Sequence, residues 1–91
     1  MSDLLNLVAL CEQYKEGIYE TEEFQSRIQT ALLPDNISMK FVGSLNNLYN
    51  DLEEILYFYP ESEQRERTLK VAEKLMKEIS LEEERLKEEE R

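Results

Sequence analysis

Between Asp51 and Glu63 the chain reads Asp-Leu-Glu-Glu-Ile-Leu-Tyr-Phe-Tyr-Pro-Glu-Ser-Glu, which sets five carboxylates and three aromatic rings within 13 residues. Ionised carboxylates only accept hydrogen bonds, so their chemistry is charge-assisted pairing with Lys and Arg. Aromatic rings beside them add contact area and faces on which a cation can stack. These residue types describe a docking patch for a basic partner. Catalysis lacks its usual groups. His is absent, which removes the commonest general base and the commonest metal ligand. The single cysteine, Cys11, leaves no Cys–His pair and makes a zinc site implausible. Two glycines, Gly17 and Gly43, cannot build a phosphate-cradling loop. Carboxylate-only metal or glycosidase chemistry stays formally open, but a ligand pocket is hard to build in a chain of 91 residues. The sequence therefore predicts a non-enzymatic protein with no catalytic residue, cofactor or metal.

Ninety-one residues make one small domain with a thin stability margin. The chain carries 21 acids against 11 bases, a net charge of −10. Direct nucleic-acid binding and attachment to an anionic membrane both need the opposite balance. No apolar run approaches the length of a membrane span, and no basic stretch precedes an apolar core at the N-terminus, so neither a span nor a signal peptide is expected. One cysteine cannot form an internal disulfide, which favours a reducing cytoplasm.

Four helices must position the patch. Ser2 or Asp3 can cap a first helix running to Glu16, with Leu4, Leu7, Val8 and Cys11 on one face and Gly17 in the left-handed position that ends it. On that stripe Cys11 reads as a small core hydrophobe. Thr21 can cap a second helix, Glu22 and Glu23 suit its positive end, and Phe24, Ile28, Ala31 and Leu32 form its apolar stripe up to Leu33 before Pro34. After the Pro34-Asp35-Asn36 turn, Asn36 or Ser38 can cap a long third helix from Ser38 to Phe58. Phe41, Leu45, Leu48, Leu52, Ile55 and Tyr59 step by four and three along it, widened by Val42, Tyr49 and Leu56. Gly43 inside this helix implies close packing or a late start near Ser44. Pro60 ends it, Ser62 can cap the fourth helix, and Leu69, Ala72, Leu75 or Met76, and Ile79 supply the last stripe. The predicted fold is an all-α four-helix bundle over residues 1–81, with a core that includes Leu7, Phe24, Ile28, Leu45, Leu48, Leu52, Ile55, Leu75 and Ile79. Residues 82–91 read as a charged extension, exposed or partly disordered, that buries almost nothing.

The charge is uneven. Residues 1–63 hold 12 acids and 3 bases, residues 64–81 hold 3 acids and 5 bases, and residues 82–91 hold 6 acids and 3 bases. Such an excess is either a solvated surface or a partner surface. Successive residues on a helix point about 100° apart, so Tyr57, Phe58 and Tyr59 cannot all face one core, and at least one is exposed. Asp51 and Glu54, three apart, share a face with Tyr57, and Glu61 and Glu63 follow at the start of the next helix. The candidate partner-binding residues are Asp51, Glu53, Glu54, Glu61 and Glu63, with Tyr57 and Tyr59 as anchors. The alternative is that these acids only complement the dipole of the fourth helix and that Tyr57 covers the bundle end.

Two segments carry a family resemblance. Residues 14–28, YKEGIYETEEFQSRI, read as helix end, turn, Thr cap and a Glu-Phe-x-x-x-Ile helix. Residues 48–65 read as an acidic helix ending in Phe58-Tyr59-Pro60-Glu61-Ser62-Glu63. Over residues 4–67 the chain resembles the colicin D immunity family and similar small bacterial immunity proteins. The resemblance implies a cytoplasmic four-helix protein that binds a cognate nuclease toxin and blocks its active site. In that family acidic residues around the aromatic-x-Pro-acidic turn meet basic catalytic residues of a tRNA-cleaving toxin. Phe58, Pro60, Glu61 and Glu63 match that turn. Leu56 and Tyr59 depart from it, since acids stand there in the family, and Glu53 and Glu54 would supply charge nearby. The acidic tail from Glu82 has no counterpart.

The expected function is therefore an immunity protein, or antitoxin, whose partner is a cationic nuclease-domain toxin. The alternative is a helical adaptor or self-associating bundle that binds through an apolar groove. Leu81 and Leu86 alone are too few for a coiled-coil seam.

Overall fold

The computed structural model describes residues 4–89, so the expected caps Ser2 and Asp3 lie outside the described residues. Four helices follow one another: α1 (Leu5–Lys15), α2 (Thr21–Gln29), α3 (Met39–Phe58) and α4 (Glu61–Glu89). No strand occurs among the described residues. α4 packs on α3 and α1, α2 packs on α3 and α1, and all nine residues expected in the core are buried. Leu4, Cys11, Tyr14, Phe41, Val71 and Ala72 join them. Cys11 behaves as a core hydrophobe: burial pushes its thiol up to about 12, against a smaller lowering by Lys15.

The connections show which local signals win. Gly17 sits at φ 86°, the Ile18 amide donates to the Gln13 carbonyl at 3.0 Å and the Gly17 amide to that of Tyr14 at 3.0 Å. That pair of hydrogen bonds is the left-handed helix stop the glycine predicts. Ser38 caps α3 as expected, its hydroxyl accepting from the Phe41 amide at 3.1 Å. Thr21 does not cap α2. It is the first helical residue and is buried, with its hydroxyl 3.0 Å from that of Tyr14 and 2.9 Å from that of Thr68. This hydroxyl chain joins α1, α2 and α4, beside a stack of Tyr14 on Phe24 at 4.7 Å. α2 also ends earlier than Pro34 alone dictates. The Thr30 hydroxyl donates to the Ser26 carbonyl at 3.2 Å, the chain leaves the helix, and Leu32, expected on the buried stripe, is 83% exposed. Ser62 does not cap α4. The Pro60 carbonyl accepts from the amides of Glu63 at 2.9 Å and Gln64 at 3.2 Å, so Ser62 lies within the first turn. Gly43 is neither closely packed nor at a helix start, because a Cβ built on it would meet nothing within 4 Å.

The C-terminal end of α4 departs most from the sequence reading. The helix crosses residue 82 without a break, and its side chains there are not all solvated. Glu82 is only 5% exposed. Its carboxylate accepts from the Ser38 amide at 2.8 Å and the Ser38 hydroxyl at 2.8 Å. Arg85 donates to both carboxylate oxygens, at 2.8 and 3.1 Å, and also to the Asn36 carbonyl at 2.9 Å. Leu86 packs against the core. A buried carboxylate is costly unless fully hydrogen-bonded, and here every partner is supplied by the α2–α3 connection or by the next turn of the same helix. Charge composition hides this arrangement, because one buried Glu in a run of exposed ones looks the same in sequence.

Two outcomes follow for stability. Leu52→Ala removes a fully buried side chain from the middle of α3 and is expected to cost about 2–5 kcal/mol in urea unfolding; a variant that unfolds like the parent would place Leu52 outside the core. The second concerns acid. Hydrogen bonds from Arg85 dominate over desolvation and, with those from Ser38, hold the Glu82 carboxyl at about 2 instead of 4.5. Its contribution is present above pH 4.5, where the unfolded chain is also ionised, and is lost as pH falls from 4.5 towards 2. Glu82→Gln should melt lower at neutral pH and should flatten the parent's decline in melting temperature across that window. Parallel curves for the two proteins would remove the clamp from the account.

Candidate functional site

The candidate patch is built where α3 ends and α4 begins. The Tyr59 amide donates to the Ile55 carbonyl at 3.3 Å, closing the last turn of α3. Tyr59 then turns extended, at φ −119° and ψ 142°, as the residue before a proline must. Gln64 fastens the corner from α4, its side-chain amide donating to the Tyr59 carbonyl at 2.9 Å. Short connection and fixed corner together hold Glu61 and Glu63 close to the end of α3.

The expected site residues divide into two groups. Glu54, Tyr57, Glu61 and Glu63 are exposed around the corner, and Asp51 is half-buried three residues before Glu54. Glu53 is exposed but turned towards α2, where its carboxylate accepts from the Gln25 side-chain amide at 2.5 Å. It therefore works within the fold as a tie between α2 and α3. Tyr59 differs from its expected role as an exposed anchor. It packs against the core, and the Arg67 guanidinium lies over its ring at 3.7 Å. The apolar spacing of α3 already places Tyr59 four residues after Ile55 on the buried stripe, and that signal outweighs its place in the aromatic run.

Phe58 takes the exposed position instead. It is 73% exposed and Tyr57 is 84% exposed, and their rings meet edge to face at 5.6 Å. The two rings form an apolar surface at the end of α3, between Glu54 on one side and Glu61 and Glu63 on the other. The signal that finds Phe58 is its offset from the buried series 48, 52 and 55, which puts it about 100° from the next core position.

A cleft of about 290 Å³ opens beside the same corner, with Tyr14, Tyr19, Glu20, Glu22, Glu61 and Arg65 among its lining residues. Arg65 is committed to the end of α1, donating to the carbonyls of Tyr14 at 3.4 Å and Lys15 at 3.0 Å and lying over the Tyr14 ring at 5.3 Å. With Arg27 over the Tyr19 ring at 4.5 Å, this end of the molecule already receives three of the chain's own guanidinium groups on aromatic rings. Its exposed surface offers more of the same chemistry: carboxylate oxygens for N–H donors, and ring faces for cations or apolar stems. Among the described residues no group of three His, Cys, Asp or Glu is placed to hold a metal ion, and no helix is long and apolar enough to cross a membrane. Comparison of the chain with protein-family models, with curated proteins and with solved structures finds no match.

The division of the aromatic run is testable by stability alone. Tyr57→Ser is expected to change unfolding free energy by less than about 0.5 kcal/mol, as for an exposed site. Tyr59→Ser loses core packing and the Arg67 stack and is expected to cost on the order of 1–2 kcal/mol. Equal effects in urea unfolding would mean that the corner does not bury one ring and expose the other.

Proposed function

We propose that this protein is a bacterial immunity protein, an antitoxin of the kind that its resemblance to the colicin D immunity family implies. It binds a cationic nuclease-domain toxin, a tRNA-cleaving one by that resemblance, and blocks its active site without catalysing a reaction itself. Its place of action is the cytoplasm, where such a toxin meets its substrate. The observation that carries this reading is the exposed Tyr57–Phe58 pair flanked by Glu54, Glu61 and Glu63 on a chain of net charge −10.

The physical logic is substrate mimicry. A nuclease holds phosphates with Lys and Arg, and carboxylates placed at those positions satisfy the same donors. The field of an acidic protein draws a basic partner in and raises the rate of encounter. Specificity then falls to the anchors, since exposed rings bury area in a pocket of the partner at low entropic cost. The acids at the start of α4 also complement that helix's dipole, a local role worth about 0.3–1 kcal/mol. Both roles are compatible, but they respond differently to mutation.

The reading predicts a neighbouring gene for a large protein ending in a basic nuclease-like domain. That domain, purified, is the probe. Glu61→Gln with Glu63→Ser should leave the melting temperature close to the parent's while affinity falls by about 2–5 kcal/mol, the penalty for truncating paired interfacial charges. Tyr57→Ser should weaken binding as well, with relief of the block on tRNA cleavage. Unchanged affinity and inhibition in both variants would remove the corner from the interface.

A further inference from the structure

Two rows of exposed residues run along one outer face of the α3–α4 hairpin. On α3, Met39, Gly43, Asn47, Asn50, Glu54 and Phe58 recur at steps of four or three and are all exposed. On α4, Glu63, Arg67, Lys70, Lys74, Lys77 and Leu81 do the same. Asn47 and Lys74 line one shallow depression with Ser44, Leu48 and Glu78, so the rows are adjacent and these two residues stand level. The helices are antiparallel, and seven residues along either axis span about 10 Å. Glu54 is therefore level with Arg67, Asp51 with Lys70, and Met39 with Leu81.

Apart from Arg67 stacked on Tyr59 and Phe58 against Tyr57, contacts inside the fold do not account for these rows. Lys70, Lys74 and Lys77 make no ion pair among the described residues, although the chain is strongly acidic. Met39 is 83% exposed and Leu81 is 55% exposed at the same end of the face. Gly43 weakens the interior of α3 while its missing side chain makes room for nothing in the chain itself.

We propose that this face pairs with the same face of a second copy of the chain, about a two-fold axis parallel to the helices. Such an axis lays α3 of each copy on α4 of the other without changing its level. Glu54 and Asp51 then meet Arg67 and Lys70 of the second copy, and Met39 meets Leu81. The aliphatic stem of a facing lysine crosses α3 at Gly43, where a side chain would hold it off. A two-fold axis perpendicular to the helices would set lysine row on lysine row and is excluded by repulsion. α3 is about 30 Å long and two packed helices are about 20 Å wide, so the face offers on the order of 600 Å² per copy and 1,200 Å² per pair. That area lies at the low end of specific interfaces and describes a concentration-dependent dimer. The face includes Glu54 and Phe58, so pairing hides part of the surface offered to a toxin. It goes beyond the immunity reading, and its test needs this chain alone.

The test is sedimentation velocity over a concentration series, with circular dichroism to establish folding. The wild-type chain is expected to dimerise as concentration rises. Asp51→Lys with Glu54→Lys makes both rows of the face basic, and Lys70→Glu with Lys74→Glu makes both acidic. Each variant alone should be monomeric, weakened by about tenfold or more through like charges set face to face. Mixed one to one, they should form a heterodimer, because each basic row then faces an acidic one. Gly43→Gln provides a further variant that α3 accommodates readily; it should raise the melting temperature and weaken self-association. A wild-type chain that stays monomeric at millimolar concentration would overturn the proposal. So would a mixture of the two charge-reversed variants that stays monomeric, or an unchanged dimer in Gly43→Gln.

Discussion

The register of α3 against α4 is the constraint on which the other features depend. It is fixed at both ends of the hairpin. At one end Pro60 stops α3, its carbonyl starts α4, and Gln64 ties the corner to the Tyr59 carbonyl. At the other end Glu82 holds Ser38, the residue that caps α3. Between these ends only one alignment sets Phe41, Leu45, Leu48 and Leu52 of α3 against Thr68, Val71, Leu75 and Ile79 of α4. A slide by one turn, about 5.4 Å, would pull Glu82 away from Ser38 and Gln64 away from Tyr59. A chain of 91 residues has little core to spare, so polar ties at the ends of its longest helices matter more than they would in a larger domain.

The position of the candidate partner surface follows from that register. α3 delivers Tyr57 and Phe58 at its last turn, and the Pro60 corner brings Glu61 and Glu63 round beside them. Arg67, nearly two turns into α4, covers Tyr59 and so separates the buried ring from the exposed ones. The same register sets Asp51 and Glu54 of α3 beside the basic row on α4. A single geometric relation thus governs both the corner proposed to face a toxin and the broader face that a second copy of the chain would cover. The two surfaces share Glu54 and Phe58, which couples their occupancy through simple exclusion.

Much of the fold is legible in the residues. Helix number, the Gly17 stop, the Ser38 cap and the buried stripe of α3 follow from local rules of spacing and capping. What the sequence obscures depends on partners far along the chain. Thr21 looks like a cap because Thr caps helices, but a buried hydroxyl is worth more to the fold when Tyr14 and Thr68 are its partners. Glu82 looks like one of a solvated run because its neighbours are acidic, and only the return of Ser38 beside it adds two donors to the two from Arg85. Leu32 looks like a core position because four-residue spacing continues through it, yet Thr30 ends the helix first. In the candidate site the acids and Tyr57 are legible from composition and face. Tyr59 packs on the core and Phe58 is exposed because the apolar period of α3 is stronger evidence about direction than membership of an aromatic cluster. Glu53 is diverted to Gln25, a contact with no trace in either local segment.

The measurement closest to the central claim is amide hydrogen exchange at Ser38 under native conditions. Ser38 precedes the first turn of α3, where a loop amide would ordinarily exchange freely, but here its N–H is committed to the Glu82 carboxylate 44 residues away. If the α3–α4 register is locked by that tie, the Ser38 amide is protected nearly as strongly as the central amides of α3, and it exchanges only with opening of the hairpin. Exchange at the rate of an unprotected loop amide, with the rest of α3 still protected, would show that the helices are not fastened at this end.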